Sequence, residues 1–188
     1  MATFDVHTAD SAPAAARPQL EASQQAYGFV PNLHGVFAES PELLEAYKAI
    51  GEIFSRSGFS AAEQQIVLLA INFENGCDYC MAAHTGIARG AGVDDTVIEA
   101  LRVGGDLGEP KLDALVRLAR LVVQQAGWLT ADDVDAFLAA GWERRHVLDV
   151  ILAAAYKTMS NYTNHIARTP LDPQFEANAW SAPHATRT

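Results

Sequence analysis

Ser60-Ala-Ala-Glu63-Gln-Gln-Ile66-Val-Leu-Leu-Ala-Ile71-Asn-Phe-Glu74-Asn-Gly76-Cys77-Asp-Tyr-Cys80-Met-Ala-Ala-His84 reads as two helices with a single break. Ser60 and Glu63 form a capping box ahead of the apolar run Ile66 to Ile71. Gly76 interrupts that helix just before the first cysteine, and a second helix runs from about Cys77 to Arg89, stopping in the Gly90-Ala-Gly92 turn. The same punctuation extends outward. Ser40-Pro41 is an N-cap with proline at the first helical position, opening a helix that Gly58 can close. Asp94-Asp95 can cap Thr96 to Val103, and Pro110 opens a segment with Leu112, Leu115, Leu118, Ala119 and Val122 on one stripe. Thr130 begins a short helix ended by Gly141. Glu143 to Ala167 is apolar nearly all round, which predicts a central position. No stretch shows strand-like alternation bounded by turns. The expected fold is all-α, a bundle of about seven helices in one domain spanning 1–188. The termini, about 1–17 and 174–188, read as weakly ordered arms.

The chain has 188 residues, 49% apolar and 19% charged, enough for one sizeable core. Its net charge of −10 disfavours nucleic acid and anionic membrane surfaces as partners. No apolar run approaches the roughly 18 residues of a spanning helix. The opening Met1-Ala-Thr-Phe-Asp5 lacks the basic and apolar regions of a secretory signal, so a cytoplasmic location is expected. Two cysteines do not make a disulfide framework, and their spacing points to chemistry instead.

Cys77, Cys80 and His84 stand at i, i+3 and i+7, on one face of a helix that begins near Cys77. A pair at that spacing in a first turn can close a disulfide with little backbone movement, while the helix dipole favours a thiolate. His84 lies one turn beyond Cys80 and can serve its sulfur. A thiol of pKa about 8.5 is only a few per cent ionised at pH 7, so a dithiol redox site needs such help. Three other readings compete. The cysteines could be small buried hydrophobes, or two thiolates and an imidazole could hold zinc, although no fourth ligand accompanies them. A thioredoxin-like site would need a flanking βαβ pattern, which is absent. No metal is expected for want of that fourth ligand, and no nucleotide or flavin cofactor, since no Gly-rich phosphate loop follows a strand. A faint internal echo, Cys80-x3-His84 against Asn161-x3-His165, is compatible with an internal duplication.

The string Asn75-Gly-Cys77-Asp-Tyr-Cys80-Met-Ala-Ala-His84 resembles the carboxymuconolactone decarboxylase superfamily, in its branch of alkylhydroperoxidase D (AhpD) and peroxidase-related relatives. Phe29-Val-Pro-Asn-Leu33, Ser40-Pro41-Glu-Leu-Leu44, Asn161-Tyr-Thr-Asn-His165 and Thr169-Pro-Leu-Asp172 extend the resemblance over about residues 27 to 173. It implies an AhpD-like helical bundle that assembles as a homo-oligomer, trimer or hexamer. It also implies a thiol-dependent hydroperoxidase acting on organic peroxides or hydrogen peroxide in antioxidant defence. By the resemblance, Cys80 attacks the peroxide, Cys77 resolves the sulfenic acid to a disulfide, His84 relays a proton, and an external lipoyl- or thioredoxin-type dithiol restores the pair. Helices apolar on two faces independently favour oligomerisation.

One position departs from the pattern. The relay glutamate of AhpD corresponds here to Gln65, whose amide can orient water but accepts no proton. Tyr79 stands where AhpD has a histidine. Glu63 and Glu74 are candidate replacements for the relay acid, against the plainer roles of capping-box partner for Glu63 and solvated helix-end charge for Glu74. His165 is a structural histidine or a pocket wall. His34 and His146 read as surface or helix-end groups, and Trp128, Trp142 and Tyr156 as core or subunit contacts. Two further functional readings stand beside the peroxidase: a dithiol adaptor passing electrons to a separate peroxidase, and a catalytically silent member, which Gln65 favours.

Overall fold

A computed structural model describes residues 4–183. Among them are nine α-helices, a short 3-10 helix and no strand. The helices are α1 (Arg17–Tyr27), α2 (Asn32–Phe37), α3 (Pro41–Phe54), α4 (Ala61–Asn75), α5 (Asp78–Gly90), α6 (Asp95–Val103), α7 (Pro110–Gln124), α8 (Ala131–Ala139) and α9 (Arg144–Ala167), and the 3-10 turn is Pro173–Asn178. The helices read from the sequence are α3 to α9. Their caps follow the expected chemistry: Ser40 and Ser60 each accept a backbone N–H of the first turn, and Ser60 and Glu63 close the capping box reciprocally.

The centre is α4 rather than α9. Every residue from Ile66 to Phe73 is buried, because α4 packs against α5, α6, α7 and α9 together. Helix α9 buries one stripe, Val150, Ala153, Lys157, Ser160, Asn161 and Asn164, and leaves Leu148, Ile151, Tyr162 and Ile166 exposed on the other. Its apolarity on two faces therefore does not mean burial on both.

Neither described terminus is an arm. Ala12 and Ala16 are buried, and His7 N–H donates to the Gly35 carbonyl. That approach is so close that a Cβ on Gly35 would lie 2.7 Å from the His7 carbonyl oxygen, so glycine is required there. At the other end, Asp172 is buried, Phe175 packs on the Tyr79 ring, and Ala182 N–H donates to Asp78. The expected arm segments 1–3 and 184–188 lie outside the described residues. Among the described residues, no helix is long and apolar enough to cross a membrane.

Candidate active site

The cysteine turn is set by its two flanks. Gly76 closes α4 in the left-handed region at φ 64°, a conformation that favours glycine, and Cys77 N–H then donates to the Asn72 carbonyl. Cys77 is thereby the N-cap of α5, not its first helical residue, and Cys80 sits in the first turn, where the helix dipole favours negative charge. Buried amides fix the turn against α4 and α9. Asn72 Nδ2 donates to the Cys80 carbonyl, Asn161 Nδ2 donates to Asn72 Oδ1 at 3.0 Å, and Asn75 Nδ2 donates to Asn161 Oδ1 at 2.8 Å. Asn164 Nδ2 reaches the Cys80 sulfur at 3.2 Å and the Cys77 sulfur at 3.7 Å. Both cysteines are free.

Both cysteines are almost out of solvent, at 1% exposure for Cys77 and 2% for Cys80, and Cys80 lines a cavity to which Cys77 does not contribute. This cavity has a volume of about 220 Å³, and His84 and Lys157 share its wall with Cys80. His84 Nδ1 lies 2.9 Å from Gln65 Oε1, and His84 Nε2 lies 3.0 Å from Lys157 Nζ. An amide oxygen only accepts, so Nδ1 carries the proton and the bare Nε2 accepts from the ammonium. Burial, reinforced by the Lys157 charge, holds His84 well below its ordinary pKa and therefore neutral.

The two thiols are driven apart. Burial alone pushes Cys80 up, but a hydrogen bond from Cys77, the Lys157 charge and hydrogen bonds from Ser160 and Asn161 together bring it down to about 5. Cys77 is pushed well above the thiol range, first by its hydrogen bond to Cys80 and then by burial. One sulfur is thus the thiolate, and the other is the thiol that donates to it.

The remaining predicted residues fall elsewhere. Glu63 is held by Ser60 in the capping box, and Glu74 pairs with Arg120 at 3.5 Å while accepting from Gln124. Both carboxylates are committed to partners outside the cysteine turn, which corrects the expectation that either replaces the relay acid. His165 is exposed on the outer face of α9 with its ring stacked on Tyr162, so it is no pocket wall; in that repeat the buried positions are Asn161 and Asn164. His34, expected at the surface, is buried, bonded to Ser23 at 2.9 Å, and part of the cavity wall. His146 does stand at a helix end, in the first turn of α9. Trp142 is core, Trp128 is exposed, and Tyr156 lines the cavity.

Lys157 is the group that sequence reading missed. A signal existed: a lysine on a buried stripe with Val150, Ala153 and Asn161, at helical spacing. Its ammonium also answers the zinc reading, since both His84 nitrogens are already engaged, one of them by a cation. Among the described residues, the acidic and imidazole groups that converge closely enough for a metal are Asp5, His7 and Glu39, at the N-terminal segment.

An all-helical bundle carrying a thiolate–thiol pair at a helix start, backed by an imidazole and a buried ammonium, defines a dithiol-bearing class of helical protein. The carboxymuconolactone decarboxylase family model matches residues 41–121. That match and the shared fold support a carboxymuconolactone decarboxylase/AhpD-like superfamily assignment. The structure is similar to the alkylhydroperoxidase AhpD core of an uncharacterized peroxidase-related protein from Ralstonia eutropha JMP134, with TM-score 0.81 and 22% identity over 92% of this chain and 93% of that one. A peroxidase-related protein from Silicibacter sp. TM1040 gives TM-score 0.78 and 20% identity over 92% and 93%. A cysteine-to-alanine form of the debrominase Bmp8, in complex with 2,3,4-tribromopyrrole, gives 0.77 and 15% over 95% of each chain. At these identities the likeness is one of fold. No curated protein matches the chain.

Proposed function

We propose that the protein is a dithiol hydroperoxidase in which Cys80 attacks and Cys77 resolves. The observation that carries this reading is the asymmetry of the pair: the cavity-lining sulfur is the one held as thiolate, and its neighbour is held as thiol. The Cys80 thiolate attacks the distal peroxide oxygen, forming an S–O bond and breaking O–O. The alkoxide that leaves takes a proton from the Lys157 ammonium, which shares the cavity. Cys77 then attacks the Cys80 sulfenic acid, releasing water and closing the disulfide. An external dithiol of lipoyl or thioredoxin type supplies the two electrons that restore the pair. His84 holds Lys157 through Nε2, so the proton path runs through a cation–imidazole pair in place of a carboxylate.

A second reading is favoured by the aromatic wall of the cavity, which suits a small ring. The dithiol carries the two electrons needed to replace a ring halogen by hydrogen: Cys80 takes the halogen, the ring takes a proton, and Cys77 displaces halide to give the same disulfide.

The test is turnover of cumene hydroperoxide with dihydrolipoamide as reductant. Wild type turns over and Cys80→Ser does not; equal slow rates for the two would reject the peroxidase.

A further inference from the structure

The cavity above Cys80 is smaller than the roughly 300–1,000 Å³ usual for drug-sized ligands. It exceeds the roughly 150 Å³ that encloses one benzene ring, by room for a few more atoms. Its chemistry is divided. The floor carries the unspent polarity, Cys80 and Lys157. The walls carry rings whose polar atoms are already satisfied. Tyr79 hydroxyl donates to Asp172, His34 is bonded to Ser23, and the Tyr47 and Tyr156 hydroxyls are bonded to each other. The rings brace one another, Tyr47 on Tyr156 at 4.7 Å and Phe29 on Phe175 at 5.7 Å, so they present faces and edges, not free donors. Tyr27 and Ile87, both about half exposed, form the mouth.

Resting on the peroxidase reading, we infer that this collar selects a compact aryl-alkyl hydroperoxide, its ring against the tyrosine and phenylalanine wall and its peroxide group on the floor between Cys80 and Lys157. Hydrogen peroxide leaves the wall unfilled. A long-chain lipid hydroperoxide exceeds the enclosed volume and must leave most of its tail in water. A sugar or peptide would find no donors or acceptors in the wall to replace its hydration, an uncompensated loss.

Two measurements separate this inference from the reading beneath it. The first is kcat/KM of the full chain for cumene hydroperoxide, hydrogen peroxide and linoleic acid hydroperoxide. Apolar pockets discriminate by roughly 10–200-fold for each methylene filled, so cumene hydroperoxide leads each of the others by at least about tenfold. The second is binding of 2-phenylpropan-2-ol, the unreactive alcohol product, to reduced wild type, read from the tyrosine ring signals by NMR. Saturable binding at Tyr47, Tyr79 and Tyr156 is expected. Ile87→Trp, at the partly exposed mouth, narrows entry and lowers the ratio of cumene to hydrogen peroxide efficiency. Ala83→Phe on the same helix fills the cavity and lowers both that ratio and alcohol binding. Alcohol binding without peroxide turnover supports the ring-shaped site and overturns the peroxidase. Turnover with equal efficiency for hydrogen peroxide and cumene hydroperoxide, and no alcohol binding, overturns the collar and leaves the peroxidase standing.

Discussion

Replacing Lys157 by methionine removes one charge and keeps nearly the same length in a site that is fully buried. The ammonium is among the causes that bring Cys80 down to about 5, against the upward push of burial. Removing an opposite charge close to a buried acid raises its pKa by roughly 1–3 pH units, so the ionisation midpoint of Cys80 moves to between about 6 and about 8. At pH 6 the thiolate fraction then falls from about nine-tenths to between about a half and about one-hundredth. A rate at a single pH hides much of this. A more basic thiolate is also more nucleophilic, by about threefold per pH unit for a Brønsted slope of 0.4–0.5. The informative assay is the pH dependence of alkylation by iodoacetamide, followed with thiolate ultraviolet absorbance, on Lys157→Met and wild type in a Cys77→Ser background. Thermal unfolding checks the fold: deleting a buried charge is often neutral, while leaving His84 Nε2 without its donor costs about 1–3 kcal/mol. An alkylation midpoint unmoved in a folded variant would refute the claim that Lys157 holds the thiolate.

Other consequences are equally accessible. Gln65→Glu places a carboxylate on His84 Nδ1 and raises the imidazole pKa by about 1–3 pH units, read by NMR titration of its ring; an unmoved His84 would show that residue 65 does not govern it. His34 is lowered to about 4 by burial and then by Lys48, so the unfolded chain takes up that proton first. The stability from keeping it neutral is present above pH 6.5 and lost as pH falls toward 4, about 2 kcal/mol of it by pH 5. Urea titrations at pH 7 and pH 5 should show that loss in wild type and a smaller one in His34→Asn, whose amide nitrogen can still donate to Ser23, itself a donor to the Gln19 carbonyl; identical losses would contradict it. Asp172 accepts from Asn32 N–H and the Tyr79 hydroxyl, and Asp172→Asn sets a donor against one of them, costing about 1–3 kcal/mol by urea denaturation and loosening 171–183 to proteolysis. Leu148, Ile151, Tyr162 and Ile166 are exposed on α9, and if copies of the chain meet on that face, light scattering of Ile151→Glu should report a smaller species than wild type; an unchanged mass would reject the contact.

Helix punctuation carried most of the fold. Ser40, Ser60, Gly76 and Thr130 mark ends by local hydrogen bonding and a left-handed cap, and such signals need no tertiary context. Helices α1 and α2 escaped notice because α1 has no side-chain cap and α2 spans only six residues. Their places are fixed from afar: α2 by Asp172 accepting from Asn32 N–H and by His7 meeting Gly35, and α1 by Lys48 donating to the Gln19 carbonyl. The site divides the same way. The cysteine–histidine spacing lies within one helix and was legible; Lys157 and Asn164 reach it from α9, across more than seventy residues of chain. Glu63 and Glu74 drew attention through nearness in sequence to Gln65 and Cys77, but helix geometry points them at Ser60 and Arg120. The faint Asn161-x3-His165 echo located the right helix with the wrong face, since the buried partners are the asparagines.

The division of labour between the two sulfurs is tested most directly by mass spectrometry of the single-cysteine variants after one equivalent of cumene hydroperoxide, with dimedone present. Cys77→Ser should carry the sulfenic acid adduct on Cys80, Cys80→Ser should stay unmodified, and wild type should lose two hydrogens as it closes the disulfide. An adduct on Cys77 in the Cys80→Ser protein, formed as fast as that on Cys80, would contradict the assignment.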